Sequence, residues 1–420
     1  MADAEALPSD EARAKETQRA TLATTCGAHF VHDGIADSLY VLLPFWAQAL
    51  GLSYAQVGSI KTAYSAAMAL LQAPAGLLAE RVGERTLLAL GTMLAGAAFA
   101  ALAIAGSYGA FLLLILTVGV GSAVQHPLAS SVIARGYAGG PRRAALGVYN
   151  FAGDMGKMVV AFTIAVTAGV VGWRISVAGY GVLVVIVGIV LLLVLRQIAI
   201  GGRETKREVA SEPASGAAAA SRDPARGGWG FNNSAGYTIL AAIHVVDSAG
   251  RTGCLTLLPF LLLQKEASSA AVGLALALVF AGGAAGKLAC GLLAERLGLL
   301  RTVALTELGT AVLLLGIIAA PLPVALVSMP LLGIALNGTS SVLYGTVSEF
   351  VRSDRQARAF GLFYTLGSAA GGAAPLAFGA LSDWVGVPTS LVCLAMLVLA
   401  TLPLTFMLNP HLSAESLAKR

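Results

Sequence analysis

Gly76-Leu77-Leu78-Ala79-Glu80-Arg81-Val82-Gly83 returns later in the chain as Gly291-Leu292-Leu293-Ala294-Glu295-Arg296-Leu297-Gly298. The two stretches lie 215 residues apart, and Leu42-Leu43-Pro44-Phe45 returns at the same offset as Leu257-Leu258-Pro259-Phe260. Two matches in one register imply duplicated halves.

The setting of those halves follows from composition. Hydrophobic residues make up 57% of the chain and charged residues 12%, about half the charged share of a soluble domain. A fold in water could not cover that much apolar surface, so the chain reads as an integral membrane protein. Its 49 glycines suit helices that approach closely in lipid. The apolar stretches run to roughly 20–30 residues, the length of spanning helices and not of barrel strands. The net charge of +5 does not indicate nucleic acid, because it falls in loops and tails. Cys26, Cys254, Cys290 and Cys393 lie in or beside apolar spans without metal-ligand spacing and read as packing residues. No phosphate loop and no nucleophile–base set is present, so the expectation is no enzyme and no cofactor.

Twelve spans are expected, near 21–50, 54–79, 86–105, 110–134, 143–171, 175–196, 236–264, 269–294, 302–320, 323–350, 358–381 and 388–408. The fold class is thus an all-α membrane protein of two pseudo-symmetric six-helix bundles. The expected divisions are a disordered cytoplasmic tail over 1–19, a first bundle over 20–197, a polar flexible linker over 198–234, a second bundle over 235–408 and a tail over 409–420. Basic residues set the orientation. With the N-terminus in the cytoplasm, 21 of the 27 Lys and Arg fall in the tails and even-numbered loops, and only Arg174 and Lys265 face outward. Both termini are therefore expected in the cytoplasm, and a bacterial inner membrane is the expected location.

In a strongly apolar chain, duplicated halves mark a secondary transporter. The loop Gly76–Arg85 has the parts of a gate: a carboxylate at Glu80, arginines at Arg81 and Arg85, and glycines at Gly76 and Gly83 for close contact and a tight turn. Glu295 and Arg296 repeat it. A latch of this kind at the cytoplasmic face would hold the inner ends together and bias the outward-open state. The loop resembles the signature of the major facilitator superfamily, with Glu80 where Asp is usual. That resemblance covers the whole chain and implies two six-helix bundles around a cavity that opens alternately to each side. A narrower resemblance rests on His29-Phe30-Val31-His32-Asp33, Gly119-Val120-Gly121-Ser122-Ala123-Val124-Gln125-His126-Pro127 and Gly153-Asp154-Met155-Gly156. Together these look like the fosmidomycin-resistance-type branch, which implies proton-driven export of small phosphonate-like or other drugs. Drug antiporters usually end their fifth-helix motif in Gly-Pro, whereas Val160-Ala161 stands here.

A charge at mid-bilayer costs roughly 2.5–3.5 kcal/mol on insertion scales, so retained ones carry function or are paired. Eight are expected inside spans: Asp33, Asp37, Lys61, Asp154, Lys157, Asp247, Arg251 and Lys287. His29, Asp33 and Asp37 are spaced by four and share one helix face; they are the expected proton-coupling residues. A His-and-carboxylate face could alternatively hold a divalent metal, with His126 and His244 to help, although no full ligand set is visible and no metal site is assigned. The expected solute-binding residues are Arg251, Lys61, His126, Gln125, Asn150, Asp154, Lys157, His244, Asp247 and Tyr364. Arg251 offers a planar fork for a carboxylate or phosphonate. Asp247 and Arg251, four apart, could instead pair with each other, and Lys287 could snorkel to the membrane surface.

The expected partners are a small-molecule solute, protons and the lipid bilayer, with the chain working as a monomer. The expected activity is proton-coupled transport of a small anionic or zwitterionic solute or drug by alternating access, with export (antiport, efflux) ahead of uptake. The alternatives are proton symport of an organic acid, divalent-metal transport, or a receptor that no longer transports.

Overall fold

The computed structural model describes residues 10–137, 141–202, 230–352 and 356–412. Most of the expected linker and much of both tails fall outside these residues. The described part is helical throughout, apart from turns and one isolated bridge between Phe231 and Val351. Fourteen α-helices are numbered here in chain order. In the first half they are α1 (Asp10–Leu50), α2 (Tyr54–Val82), α3 (Glu84–Ala101), α4 (Tyr108–Ser122), α5 (Gln125–Gly136), α6 (Arg142–Val171) and α7 (Trp173–Gln197). In the second they are α8 (Ser234–Gln264), α9 (Ser269–Leu297), α10 (Leu299–Ala319), α11 (Leu322–Thr346), α12 (Gln356–Val385), α13 (Val387–Leu399) and α14 (Thr401–Leu408). The pairs α4–α5 and α13–α14 each make one interrupted rod, so the helices form twelve rods, which fits the expected twelve spans. α1 starts at Asp10, so residues 10–19 are helical and not the disordered tail expected for them.

Nine stretches among the described residues are long and apolar enough to cross a membrane. α1, α2 and α12 are the rods outside that set. α1 carries His29, His32, Asp33 and Asp37, and α2 and α12 pack on each other between the halves. Side chains such as Val170, Val327 and Phe406 are three-quarters exposed. Such an outward apolar belt is a liability in water and an ordinary surface in lipid.

Local chemistry explains the boundaries. Ser53 and Ser268, 215 residues apart, each cap the start of a helix by accepting a backbone N–H, and Gln56 completes a capping box at α2. Four links between antiparallel helices are single glycines, Gly83, Gly172, Gly298 and Gly386, with φ of 95°, 89°, 82° and 81°. A side chain at that φ would be strained, so glycine is what lets one helix stop and the next begin within one residue. Each turn falls between the second and third rods of a three-rod unit, two units per half.

Chain direction gives the bundle two ends. α1 begins and α14 stops at one, called here the terminal end; the loops after α1, α3, α6, α8, α10 and α12 lie at the other, the far end. At the far end the halves touch. Gly58 of α2 sits against the Pro375 backbone of α12, Gly379 of α12 against Tyr54, and Gly273 of α9 against Ala165 of α6. A single apolar core there joins both halves, from Trp46 and Phe111 to Leu258 and Leu391. At the terminal end the cores are separate, one around Leu88, Val132 and Tyr149, the other around Tyr237, Phe350 and Phe363. Gly76, Gly147, Gly291 and Gly361, on the terminal portions of α2, α6, α9 and α12, have open space beside them. The molecule is closed at the far end and parted at the end that carries both termini.

Candidate functional site

Where the halves part, a cavity of about 290 Å³ reaches the middle of the bundle. The first half contributes Asp37 and Tyr40 from α1 and Asp154 and Lys157 from α6; the second contributes Arg251 from α8, Lys287 from α9 and Asn337 from α11. Three cations thus face two carboxylates. Among the described residues, the Arg251 guanidinium has no hydrogen-bond or ion-pair partner. Its charge is available to whatever enters.

The other two cations belong to a chain of ion pairs. Lys287 Nζ lies 2.8 Å from Asp154 Oδ1 and 3.0 Å from Oδ2, joining the second half to the first. Lys157 Nζ is 3.3 Å from Asp154 Oδ1 and 3.2 Å from Asp33 Oδ2. Asp33 Oδ2 is in turn 3.3 Å from His29 Nε2. The chain therefore runs from the cavity to a carboxylate and an imidazole that are both buried. Lys287, for which the sequence also allowed a snorkelling role, is a member of this site.

Second contacts orient the inner end. His29 Nδ1 is 2.8 Å from the Tyr149 carbonyl. A carbonyl only accepts, so Nδ1 carries the hydrogen and Nε2 is the nitrogen that faces Asp33. The ring stacks on Tyr149 at 4.0 Å between centroids. Gly153 makes the room. A Cβ there would lie 2.5 Å from His29 Cε1 and 2.8 Å from Asp33 Oδ2. His126 Nε2 approaches Asp33 Oδ1 at 3.9 Å, and its side chain is 44% exposed. His29, Asp33 and His126 bring their ligand atoms within 4.8 Å of one another, the geometry of a small metal site. The ammonium of Lys157 already occupies one face of Asp33, 3.2 Å from its Oδ2, and would repel a divalent cation there.

A second set of polar groups lies deep in the other half. Asp247 and His244 of α8 are buried, and so is Glu307 of α10, at 2% exposure. Asp247 and Arg251 do not form the ion pair that their spacing allowed: among the described residues Asp247 Oδ2 is buried without a hydrogen-bond partner. His244 stacks on Phe363 at 4.3 Å and is boxed in by Tyr344. Glu307 makes a ninth charged residue inside the spans. Its signal was present, a lone acid six residues into the stretch expected at 302–320.

The remaining expected residues scatter. Lys61 turns away from the cavity: its Nζ donates to the Ala36 carbonyl at 2.8 Å and lies 4.2 Å from the Tyr40 ring centroid. Gln125 is buried at the break between α4 and α5. Asn150 is exposed, and Tyr364 is half exposed beside Tyr344. Glu80, Arg81, Glu295 and Arg296 stand exposed at the parted end. Arg85 is held within its own half, its backbone N–H donating to the Gly201 carbonyl at 3.0 Å. Beside this loop Glu84 pairs with Arg135 at 2.8 Å, again within one half.

Asp383, which sequence reading passed over, is the feature that ties the far end shut. Its carboxylate accepts from the backbone N–H of Tyr54 at 2.7 Å and of Ala55 at 2.9 Å, across the divide between halves. Gly379, Asp383 and Gly386 repeat the spacing of Gly76, Glu80 and Gly83. The carboxylate of the loop motif thus has a counterpart at the opposite end of the molecule.

Comparison with known proteins agrees with this architecture. A bacterial homologue of the human lysosomal transporter Spinster, in an inward-facing and occupied conformation, superposes with a TM-score of 0.77 at 16% identity, covering 94% of this chain and 97% of that one. The nucleoside transporter NupG superposes with a TM-score of 0.72 at 13% identity, covering 93% and 98%. At those identities the likeness is one of fold. Two relatives from Escherichia coli (strain K12) match by sequence over shorter stretches. The Fosmidomycin resistance protein is 31% identical over 142 residues, 33% of this chain and 35% of that protein. A probable L-galactonate transporter is 29% identical over 127 residues, 30% and 28%. The matches thus span about a third of each relative's length. The sequence profile of the Major Facilitator Superfamily matches residues 25–243 and again residues 240–420. With the fold, the duplicated halves and the central cavity in agreement, the chain belongs to the Major Facilitator Superfamily, a family of membrane-spanning transporters.

Proposed function

We propose that this protein is a proton-coupled secondary transporter of a small anionic or zwitterionic solute, not an enzyme, working by alternating access in a bacterial inner membrane with both termini in the cytoplasm. The observation that carries this reading is the ion-pair chain from Lys287 in the cavity to Asp33 and His29 in the interior. A proton on Asp33 cancels its attraction for Lys157. Lys157 then bears more on Asp154 and competes with Lys287 for it. The link between halves loosens, and Lys287 becomes available to a solute. Breaking a buried ion pair from one side costs about 3–5 kcal/mol, enough to bias a conformational equilibrium strongly. The excess of cations in the cavity and the unpaired fork of Arg251 supply the preference for an anionic group.

Export is the direction we retain, on the partial likeness to the Fosmidomycin resistance protein. One observation favours uptake with protons as a second reading. The cavity sets the carboxylates Asp37 and Asp154 beside Lys157, Lys287 and Arg251, so a proton and an anion would be taken up in the same place.

The test is ligand stabilisation followed by flux. Purified protein is screened by thermal shift against phosphonates, sugar acids and neutral and cationic analogues of each; hits are then assayed in liposomes under an imposed pH gradient. Anionic solutes should stabilise, and Arg251→Gln should weaken that binding by about 10–100-fold, the loss of one charge-assisted contact of about 1.5–3 kcal/mol. Stabilisation by the neutral or cationic analogues alone would overturn the reading.

A further inference from the structure

The two halves do not carry the same pair at one pseudo-equivalent position. In the first half His32 of α1 meets Thr92 of α3, Nε2 to Oγ1 at 3.0 Å. Moving each residue by the 215-residue register lands on Asp247 of α8 and Glu307 of α10. The two positions that meet as a neutral contact in the first half are thus both acids in the second. Asp247 is 5% exposed and Glu307 2%. Neither forms an ion pair among the described residues, and Asp247 Oδ2 is buried without any hydrogen-bond partner.

The surroundings leave few ways to stabilise two negative charges. From α8, Arg251 lies one turn beyond Asp247, without an ion pair to either acid among the described residues, and His244 lies one turn before Asp247. From α11 come the Tyr344 ring and the Thr339 hydroxyl, the latter donating to Thr306 at 2.8 Å. From α14 comes Thr401. Arg251 is the cation in reach of the pair. One carboxylate against one guanidinium is balanced; two in a site that excludes water are not, and like-charged carboxyls that share a buried site retain a proton between them.

We propose that Asp247 and Glu307 form a second proton-binding site, in the other half of the molecule from Asp33, and that they hold one proton between them. The transferred species is H⁺ alone: one carboxyl carries an O–H, the other stays ionised against Arg251, and no bond other than O–H forms or breaks. Arg251 also lines the cavity, so it is the element through which this proton and an entering anion sense each other. An anion that draws the guanidinium toward the cavity removes the charge that keeps one carboxyl ionised, and the pair takes up another proton. Only this last step rests on the transport reading.

The test is infrared spectroscopy of the full chain in lipid nanodiscs at neutral pD, reading the C=O stretch of protonated carboxylic acids. Relative to wild type, Glu307→Gln should lose one such carboxyl per chain. Asp247→Asn should lose it too, because the surviving acid is then balanced by Arg251. Arg251→Gln should gain one. Retention of the band in Glu307→Gln overturns the site. Retention in Asp247→Asn, with loss in Glu307→Gln, overturns the sharing and leaves a lone acid. An unchanged spectrum in Arg251→Gln overturns the link to the cavity. No solute is needed, so a failure here leaves the transport reading standing. A failure to find transport leaves this site standing likewise.

Discussion

Removing the Asp383 carboxylate should open the far end of the molecule. The start of α2 has three backbone N–H groups without partners in their own helix that find them elsewhere: Gln56 N–H bonds the Ser53 hydroxyl, while Tyr54 and Ala55 N–H both bond Asp383 of the other half. A carboxylate at a helix N-terminus is favoured by the local dipole. Hydrogen bonds to a charged group contribute about 1.5–3 kcal/mol when shielded. Here the site is exposed, and water replaces the carboxylate once the halves part, so we discount the two bonds to about 1–2 kcal/mol in total. That is a shift of roughly 5–30-fold in the equilibrium between closed and open far ends, at 1.4 kcal/mol per factor of ten. Asp383→Ala should show the full shift. Asp383→Asn keeps one acceptor oxygen and should show about half. The assay is electron–electron distance measurement between spin labels at exposed positions 106 and 321, on far-end loops of the two halves, with Cys26 and Cys393 replaced by Ser. A longer-distance population should grow in both variants, more in Asp383→Ala. Distributions identical to the parent in both would show that the contact only decorates an interface held by Gly58, Gly379 and the shared apolar core.

Other expectations follow from the site. Asp33→Asn should abolish flux driven by a pH gradient and spare part of the solute counterflow, as measured in liposomes; normal gradient-driven flux would remove Asp33 from the coupling scheme. Gly153→Ala should uncouple transport by pushing His29 and Asp33 apart, although Ala for Gly within a helix is otherwise worth about 0.5–1 kcal/mol of stability; full coupling with a raised melting temperature would count against the assigned geometry. Glu80→Gln should enlarge the population parted at the terminal end, and Glu295→Gln should do so less. Labels at the terminal ends of α2 and α12 would report it, and unchanged distances would reduce the motif to a topological anchor.

The architecture was legible because the bilayer leaves a helix few choices. Length and apolarity mark each span, and the repeat at Gly76 and Gly291 exposes the duplication without any knowledge of contacts. Asp33, Lys157 and Arg251 were legible for a related reason: a charge deep in an apolar run is conspicuous. What each one touches was not legible. Spacing proposed Asp247 for Arg251, yet Arg251 lines the cavity and Asp247 keeps a buried carboxylate oxygen without a hydrogen-bond partner among the described residues. Spacing also gave Lys61 a cavity-facing stripe, while its ammonium bonds Ala36 and covers Tyr40.

Sequence by itself thus determined the membrane setting, the duplicated halves and eight of the nine charges inside the spans, Glu307 being the one passed over, because burying an apolar segment or an ion in lipid is a property of the segment alone. Tertiary structure decided the rest. Which end is closed depends on Gly58, Gly379 and Asp383 meeting residues some 320 positions away in the chain. The route from Lys287 to His29 crosses three helices and both halves. Coulomb and hydrogen-bond energies fall within a few ångströms, and in a twelve-rod bundle those ångströms are set by helix packing, on which spacing along one helix is silent.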